Sequence, residues 1–191
     1  MYDESMIGID EVGRGAWAGP LLVVAARVKD HAELPPGLTD SKLLTRTQKD
    51  QFHQQLLIVC DFGEGWVTVQ EIDEIGLGAA LKLGALRAVG QLEDVENEEI
   101  MIDGNVDLLG DDFPKSYSKV QADLTEPIVS AASVYAKVVR DKHMTTLHFT
   151  NPQYGFRDHV GYGTRQHISA LKQHGVSEHH RKSFKPIMEL L

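Results

Sequence analysis

Two periods of apolar residues run through this chain. Met6-Ile7-Gly8-Ile9-Asp10-Glu11-Val12 reads as a first strand whose end turns acidic. Leu21 to Val28 is a continuous apolar run, which predicts a second strand covered on both faces. Thr45-Arg46-Thr47-Gln48 has capping-box spacing and predicts a helix from there to about Cys60. Gly65-Trp66-Val67-Thr68-Val69 is strand-like, and Glu71 to about Gln91 reads as helix despite its glycines. Ile100-Met101-Ile102-Asp103 predicts a short strand ending at Gly104, and Tyr117 to Val120 another. The clearest helix follows, with Ile128, Ala131, Ala132, Tyr135, Val138 and Val139 on one apolar face. Ser133, Lys137 and Arg140 form a separate polar and basic stripe on it. A last helix is expected from near Thr164 to Gly175, a C-terminal cap residue. Strands first, then strands interleaved with helices, predict an α/β domain with a mixed sheet.

Composition narrows the class. The 191 residues, 42% of them hydrophobic, suffice for one domain and its core but not for two. One domain over 1–191 is expected, its C-terminal helical part covering about 145–191. No apolar run approaches the roughly 18–20 residues of a membrane span. The acidic start Met1-Tyr2-Asp3-Glu4-Ser5 lacks the regions of a signal peptide. The single cysteine, Cys60, excludes an internal disulfide and suits a reducing compartment, so a cytoplasmic monomer is expected.

Net charge is −9, which speaks against nucleic acid until its distribution is considered. Residues 137–191 hold nine Lys/Arg against four Asp/Glu, and seven of the nine His lie in the final third. A basic face beside an acidic site is one reading; chance clustering on solvated faces is the other.

Candidate chemistry sits at element ends. Gly13-Arg14-Gly15 superficially resembles a dinucleotide loop, but Pro20 and a strand follow where that loop needs a helix. Glycines do permit close backbone approach to a ligand, with N–H groups turned toward an anion or a hydroxyl. Asp10 and Glu11 interrupt an apolar strand; a solvated edge would explain them equally well. Asp103-Gly104 is either a carboxylate at a strand end or a hairpin turn. Asp123 precedes the clear helix at cap-like spacing, so an N-cap is the competing role. Asp40-Ser41-Lys42 reads as a loop. His179-His180-Arg181 lacks the partners of a zinc site. Tyr162, between two glycines, is a candidate stacking platform.

Taken together and in order, these motifs resemble one family. Gly8-Ile9-Asp10-Glu11-Val12-Gly13-Arg14-Gly15 with Ala18-Gly19-Pro20 is similar to the opening motif of ribonuclease HII. Asp40-Ser41-Lys42-Leu43, Ile102-Asp103-Gly104-Asn105 and the segment from Ser130 to Asp141 resemble its next blocks. Asn151-Pro152-Gln153-Tyr154-Gly155-Phe156, Gly161-Tyr162-Gly163-Thr164 and His180-Arg181-Lys182-Ser183-Phe184 resemble its C-terminal ones.

The resemblance implies a ribonuclease H-like fold, a central mixed sheet flanked by helices with a helical C-terminal region. It implies hydrolysis of the RNA strand of RNA–DNA hybrids, and nicking 5′ to single ribonucleotides in duplex DNA. A hybrid nuclease without single-ribonucleotide cutting and a non-catalytic binding module are the alternatives. By motif match, Asp10, Glu11, Asp103 and Asp123 would hold two divalent ions, Mn²⁺ or Mg²⁺. Such ions take oxygen ligands, and a pair of them about 3.5–4 Å apart suits phosphodiester hydrolysis. Gly13, Arg14 and Gly15, assisted by Tyr162, would read the 2′-hydroxyl, while Lys42, Ser133 and Lys137 would contact phosphate. Gln121-Ala122 replace the family's usual Lys-Gly before Asp123, which makes Asp107, Asp111 and Asp112 rivals for the fourth ligand. Asp141 is expected to form a structural ion pair instead.

Overall fold

The computed structural model describes residues 6–191, so the acidic start of the chain lies outside it. Five strands form one sheet: β1 (Met6–Val12), β2 (Leu21–Val28), β3 (Cys60–Val67), β4 (Glu99–Asp103) and β5 (Ser116–Lys119). Their spatial order is β3-β2-β1-β4-β5. The first three pair antiparallel, whereas β1·β4 and β4·β5 are parallel. The expected mixed sheet is therefore present, with β1 at its centre.

Both faces of the sheet are covered, which explains the uninterrupted apolar run of β2. Leu21, Val23 and Ala25 pack with Ile7 and Ile9 against α2 (Val69–Val89). Leu22, Val24 and Ala26 face the other way, against α1 (Arg46–Val59) and α4 (Pro127–Thr150). At Gly8 a side chain could not fit: a Cβ would stand 2.7 Å from the Ile128 carbonyl carbon. That close approach brings the start of α4 down onto β1, and with it the helix's polar residues onto the strand's acidic end. A third apolar cluster holds the C-terminal part. Ala18 and Met144 meet Tyr154, Phe156, Leu171 and Ile187, drawn from the short α5 (Phe156–His159), α6 (Arg165–His174), α7 (Lys185–Met188) and the turns between them.

The helix predicted from Thr45 is present, with both halves of its capping box made. It runs directly into β3, which begins at Cys60 rather than Gly65 because Asp61, Gly63 and Glu64 mask the strand pattern. Thr68 is not strand but the N-cap of α2, boxed by Glu71, and α2 kinks at Gly76, where φ is 79°. The helix expected from near Thr164 is α6, which begins after Thr164 and stops before Gly175 as its cap residues predict, but it is not the last: the short α7 follows it. Arg140 corrects the basic stripe: it is fully buried, because its guanidinium reaches the backbone carbonyls of Ala18, Pro20 and Val160.

Candidate active site

β1 and β4 run parallel in a register that pairs Ile9 with Ile102, so the next residues, Asp10 and Asp103, sit side by side at the strand ends. Asp10 shares the β1 face of Gly8, toward α4, and is buried. The solvated-edge explanation of the acidic pair therefore fails. So does the hairpin at Asp103-Gly104, since β4 and β5 are parallel.

Asp103 accepts the Ala122 N–H at 2.8 Å and the Asp123 N–H at 3.4 Å, which ties down the start of α3 (Ala122–Thr125). Asp123 thus lies inside a short helix. The N-cap of α4 is Glu126, and its side chain makes no cap bond. The N-cap role proposed for Asp123 is corrected: its carboxylate points away from the helix it precedes and accepts from Lys42 Nζ at 3.3 Å. Its rivals are engaged elsewhere. Asp107 accepts from Leu109 N–H and the Ser116 hydroxyl, and Asp111 and Asp112 pair with Lys82.

The four carboxylates feel one another. Burial pushes the Asp10 carboxyl up to about 8, aided by the charges of Glu11 and Asp103 and opposed by bonds from the Ser133 hydroxyl and the Glu11 N–H. Glu11 is raised by burial and by Asp103, against the pull of Arg14 at 3.5 Å. Asp123 is raised by burial and by the charges of Asp103 and Asp40, against Lys42. Burial pulls the Lys42 ammonium down, but Asp40 at 3.6 Å and Asp123 outweigh it and raise it. Asp40 was not expected: it reads as a loop residue, yet it is a buried fifth carboxylate beside the four. The only sign of it in the sequence is its place in the Asp40-Ser41-Lys42 motif.

The donor set consists of hard oxygens, which suits Mg²⁺ or Mn²⁺. Lys42 shows that a cation is accepted against it. Among the described residues, no three such side chains stand close enough to enclose an ion by themselves. Mutual repulsion of the carboxylates opposes that closeness, and ions of this class retain several waters as ligands.

The expected substrate contacts divide. Ser133 is buried, and its hydroxyl lies 3.1 Å from Ser41 Oγ, so with its proton turned to Asp10 it accepts from Ser41. Lys137 pairs with Asp141 at 2.8 Å, the ion pair expected of Asp141, and lines a groove with Arg46, Lys49, Lys142 and Arg157 as well as Asp50 and Asp158. Gly13 has φ of 87°, and its bare α-carbon lies against the Arg140 guanidinium. Arg14 and Gly15 are exposed, and a Cβ on Gly15 would lie 4.0 Å from Tyr162 Cε1. The half-exposed Tyr162 ring has the Arg140 guanidinium 5.9 Å from its centroid.

Beneath these loops is a layer that sequence reasoning missed. His167 Nδ1 meets the Tyr162 carbonyl at 3.0 Å, and its Nε2 meets His180 Nε2 at 3.0 Å. His180 Nδ1 takes the Ser177 N–H at 3.0 Å. One proton arrangement satisfies the whole chain: Nδ1–H on His167 and Nε2–H on His180, both neutral. Burial pulls each imidazole down to about 4, and each is further lowered by a neighbouring histidine.

The family model described as Ribonuclease HII matches residues 7–187. A ribonuclease HII of Cupriavidus necator is 40% identical over 98% of this chain and 79% of its own length. One from Jannaschia sp. is 40% identical over 96% of this chain and 91% of its own. Among solved structures, the PCNA:RNase HII complex from Archaeoglobus fulgidus superposes with a TM-score of 0.81 at 24% identity, covering 95% of both chains. Bst-RNase HIII in complex with Mn²⁺ superposes with a TM-score of 0.69 at 20% identity, over 97% of this chain and 68% of that one.

Proposed function

Because the chain belongs to the ribonuclease HII family, and so to the metal-dependent endoribonucleases of ribonuclease H type 2, we propose that it cleaves the RNA strand of RNA–DNA hybrids and nicks duplex DNA 5′ to a single ribonucleotide. One observation carries the reading: the buried Asp10 stands beside Asp103 where the parallel strands β1 and β4 end, with Glu11 and Asp123 at the same rim. A proton relieves one carboxyl of such a cluster; a divalent cation relieves several at once.

Asp10, Glu11, Asp103 and Asp123 are the residues that would hold the ions. Two ions, Mg²⁺ or Mn²⁺, would activate water and stabilise the departing 3′ oxygen, giving 5′-phosphate and 3′-hydroxyl ends. The chain's own groups do the rest. Lys42, whose Nζ stands 3.3 Å from Asp123 at the rim of the cluster, would bind a phosphate oxygen of the substrate. Ser133, buried beside Asp10, would offer its hydroxyl to that carboxylate. Gly13-Arg14-Gly15 offers backbone donors and acceptors to the 2′-hydroxyl, and the Tyr162 ring stacks on the neighbouring sugar. The glycine loop and the C-terminal part would act as one catalytic unit, a reading supported by the isolated β-bridge between Ala18 and His180.

The test is cleavage of an end-labelled DNA duplex carrying one ribonucleotide, with Mg²⁺, Mn²⁺ or EDTA, beside a long RNA–DNA hybrid. The expected result is a metal-dependent nick on the 5′ side of the ribonucleotide, reduced more by Tyr162→Ala than is cutting of the hybrid. Cutting of the hybrid alone removes the junction-reading part.

A further inference from the structure

The glycine loop that faces substrate is held from behind by a buried arginine outside the catalytic cluster. Arg181 is fully buried, yet among the described residues no carboxylate pairs with it. Its Nη1 donates to the Arg14 carbonyl at 3.0 Å and its Nε to the Gly19 carbonyl at 3.1 Å. Its own N–H donates to the Trp17 carbonyl at 2.8 Å, and Nη2 is buried without a partner. Burying an unpaired guanidinium is costly, and an apolar side chain of similar volume would fill the space more cheaply. What an apolar residue cannot do is span two carbonyls with a rigid fork.

The Ala16 N–H donates to the Gly13 carbonyl at 3.2 Å, so Arg14 and Gly15 are the central residues of a β-turn. The peptide between them is the one whose flip separates type I from type II turns. A glycine in the second central place favours type II, which needs positive φ there. Gly15 is not among the positive-φ glycines, so the turn is held in the other orientation. The peptide is trans, so its C=O and N–H point opposite ways. With the Arg14 oxygen turned inward to Arg181, the Gly15 N–H is turned away from the interior. It makes no hydrogen bond among the described residues, and its α-carbon is exposed beside the Tyr162 ring.

We infer that Arg181 is a positioning residue for ribose recognition, locking the Arg14–Gly15 peptide so that the Gly15 N–H faces the 2′-hydroxyl. This rests on the assignment of the glycine loop to ribose reading made above.

The test uses the Asp10→Asn chain, expected to bind duplex without cutting it. Fluorescence anisotropy with Mg²⁺ compares a duplex bearing one ribonucleotide with the all-DNA duplex of the same sequence. Arg181→Lys, which keeps charge and loses the fork, is expected to lower the preference for the ribonucleotide on the order of ten-fold, the effect of one well-made hydrogen bond. All-DNA affinity is expected to stay within about two-fold, because the phosphate contacts lie elsewhere. Asp73→Asn supplies a milder second variant. The Asp73 carboxylate accepts the Lys182 and Ser183 N–H groups, both at 2.9 Å, and so braces the turn that carries Arg181 from α2. It is expected to lower the same ratio by a smaller factor, and it decides the matter if Arg181→Lys does not fold. An unchanged ratio in the folded variant, or an equal fall on both duplexes, overturns the inference alone. No ribonucleotide preference in the Asp10→Asn parent overturns the ribose-reading assignment as well.

Discussion

The two halves of the site handle buried charge in opposite ways. At the ends of β1 and β4, carboxylates are crowded together, and among the described residues Lys42 and Arg14 are the cations paired with them. Behind the glycine loop and Tyr162, Arg140 and Arg181 are buried against carbonyl oxygens, and His167 and His180 are neutral with their hydrogen bonds complete. The first half is left electrostatically unfinished, the condition of a site that takes a ligand cation. The second is satisfied internally except at Arg181 Nη2, the condition of a scaffold that holds a loop still. On the proposed reading, the chain keeps its chemistry on strand ends and its recognition on loops pinned by buried cations.

Removing the first half's central group has the largest expected effect. Asp10→Asn is expected to lower cleavage by about 10³-fold or more, equivalent to several kcal/mol of transition-state stabilisation. Retained activity in folded protein would place the ions elsewhere. Gly13→Ala attacks the boundary between the halves. The added Cβ meets Arg140 in a backbone region hostile to alanine, so a loss of about 1–3 kcal/mol is expected in denaturant unfolding, together with loss of ribonucleotide selectivity.

pH separates the halves by sign. Asp10 is raised to about 8 in the folded, metal-free protein, so it retains a proton that the unfolded chain releases near its ordinary value. Its stabilising contribution is complete at low pH and lost as pH rises toward 8. His180 is depressed to about 4, so the unfolded chain takes up a proton that the fold refuses. Its contribution is complete above the ordinary imidazole value and lost as pH falls toward 4. The melting temperature of metal-free protein should therefore fall between about pH 6.5 and 8, by on the order of 5 °C. Asp10→Asn should flatten that limb, and His180→Gln should moderate the fall on the acid side. Melts that ignore both substitutions would contradict the contrast. The smallest effect is expected of Lys42→Ala, which should reduce the salt slope of duplex binding by roughly one. An unchanged slope would leave Lys42 as a counter-ion to Asp123 alone.

Much of the fold could be read from the sequence because periodicity reports burial directly. The β2 run, the Thr45 box and the apolar face of α4 each specify one arrangement. β3 was shortened in that reading because its alternate residues are polar or glycine, and the glycines serve close packing on α2, which has no local signature. The site was legible through motifs rather than through physics. Asp10, Asp103 and Asp123 each had an ordinary local role on offer, and only the three-dimensional pairing of β1 with β4 and the position of α3 remove those roles. Arg140 looked solvated because helix spacing places it one stripe away from the apolar face. Nothing local reveals that loops from residues 18–20 and 160 cover that stripe. The His167–His180 contact joins residues thirteen apart through tertiary packing, so no spacing rule could find it.

The claim at the centre of this account is that the crowded carboxylates are the cation site. Calorimetric titration of Mn²⁺ into metal-free protein at pH 7, repeated in buffers of different ionisation enthalpy, counts the protons released as the ion binds. With the Asp10 carboxyl at about 8, binding should expel close to one proton, and Asp10→Asn should abolish the release and most of the affinity. Mn²⁺ binding that releases no proton and is indifferent to Asp10→Asn would contradict the account.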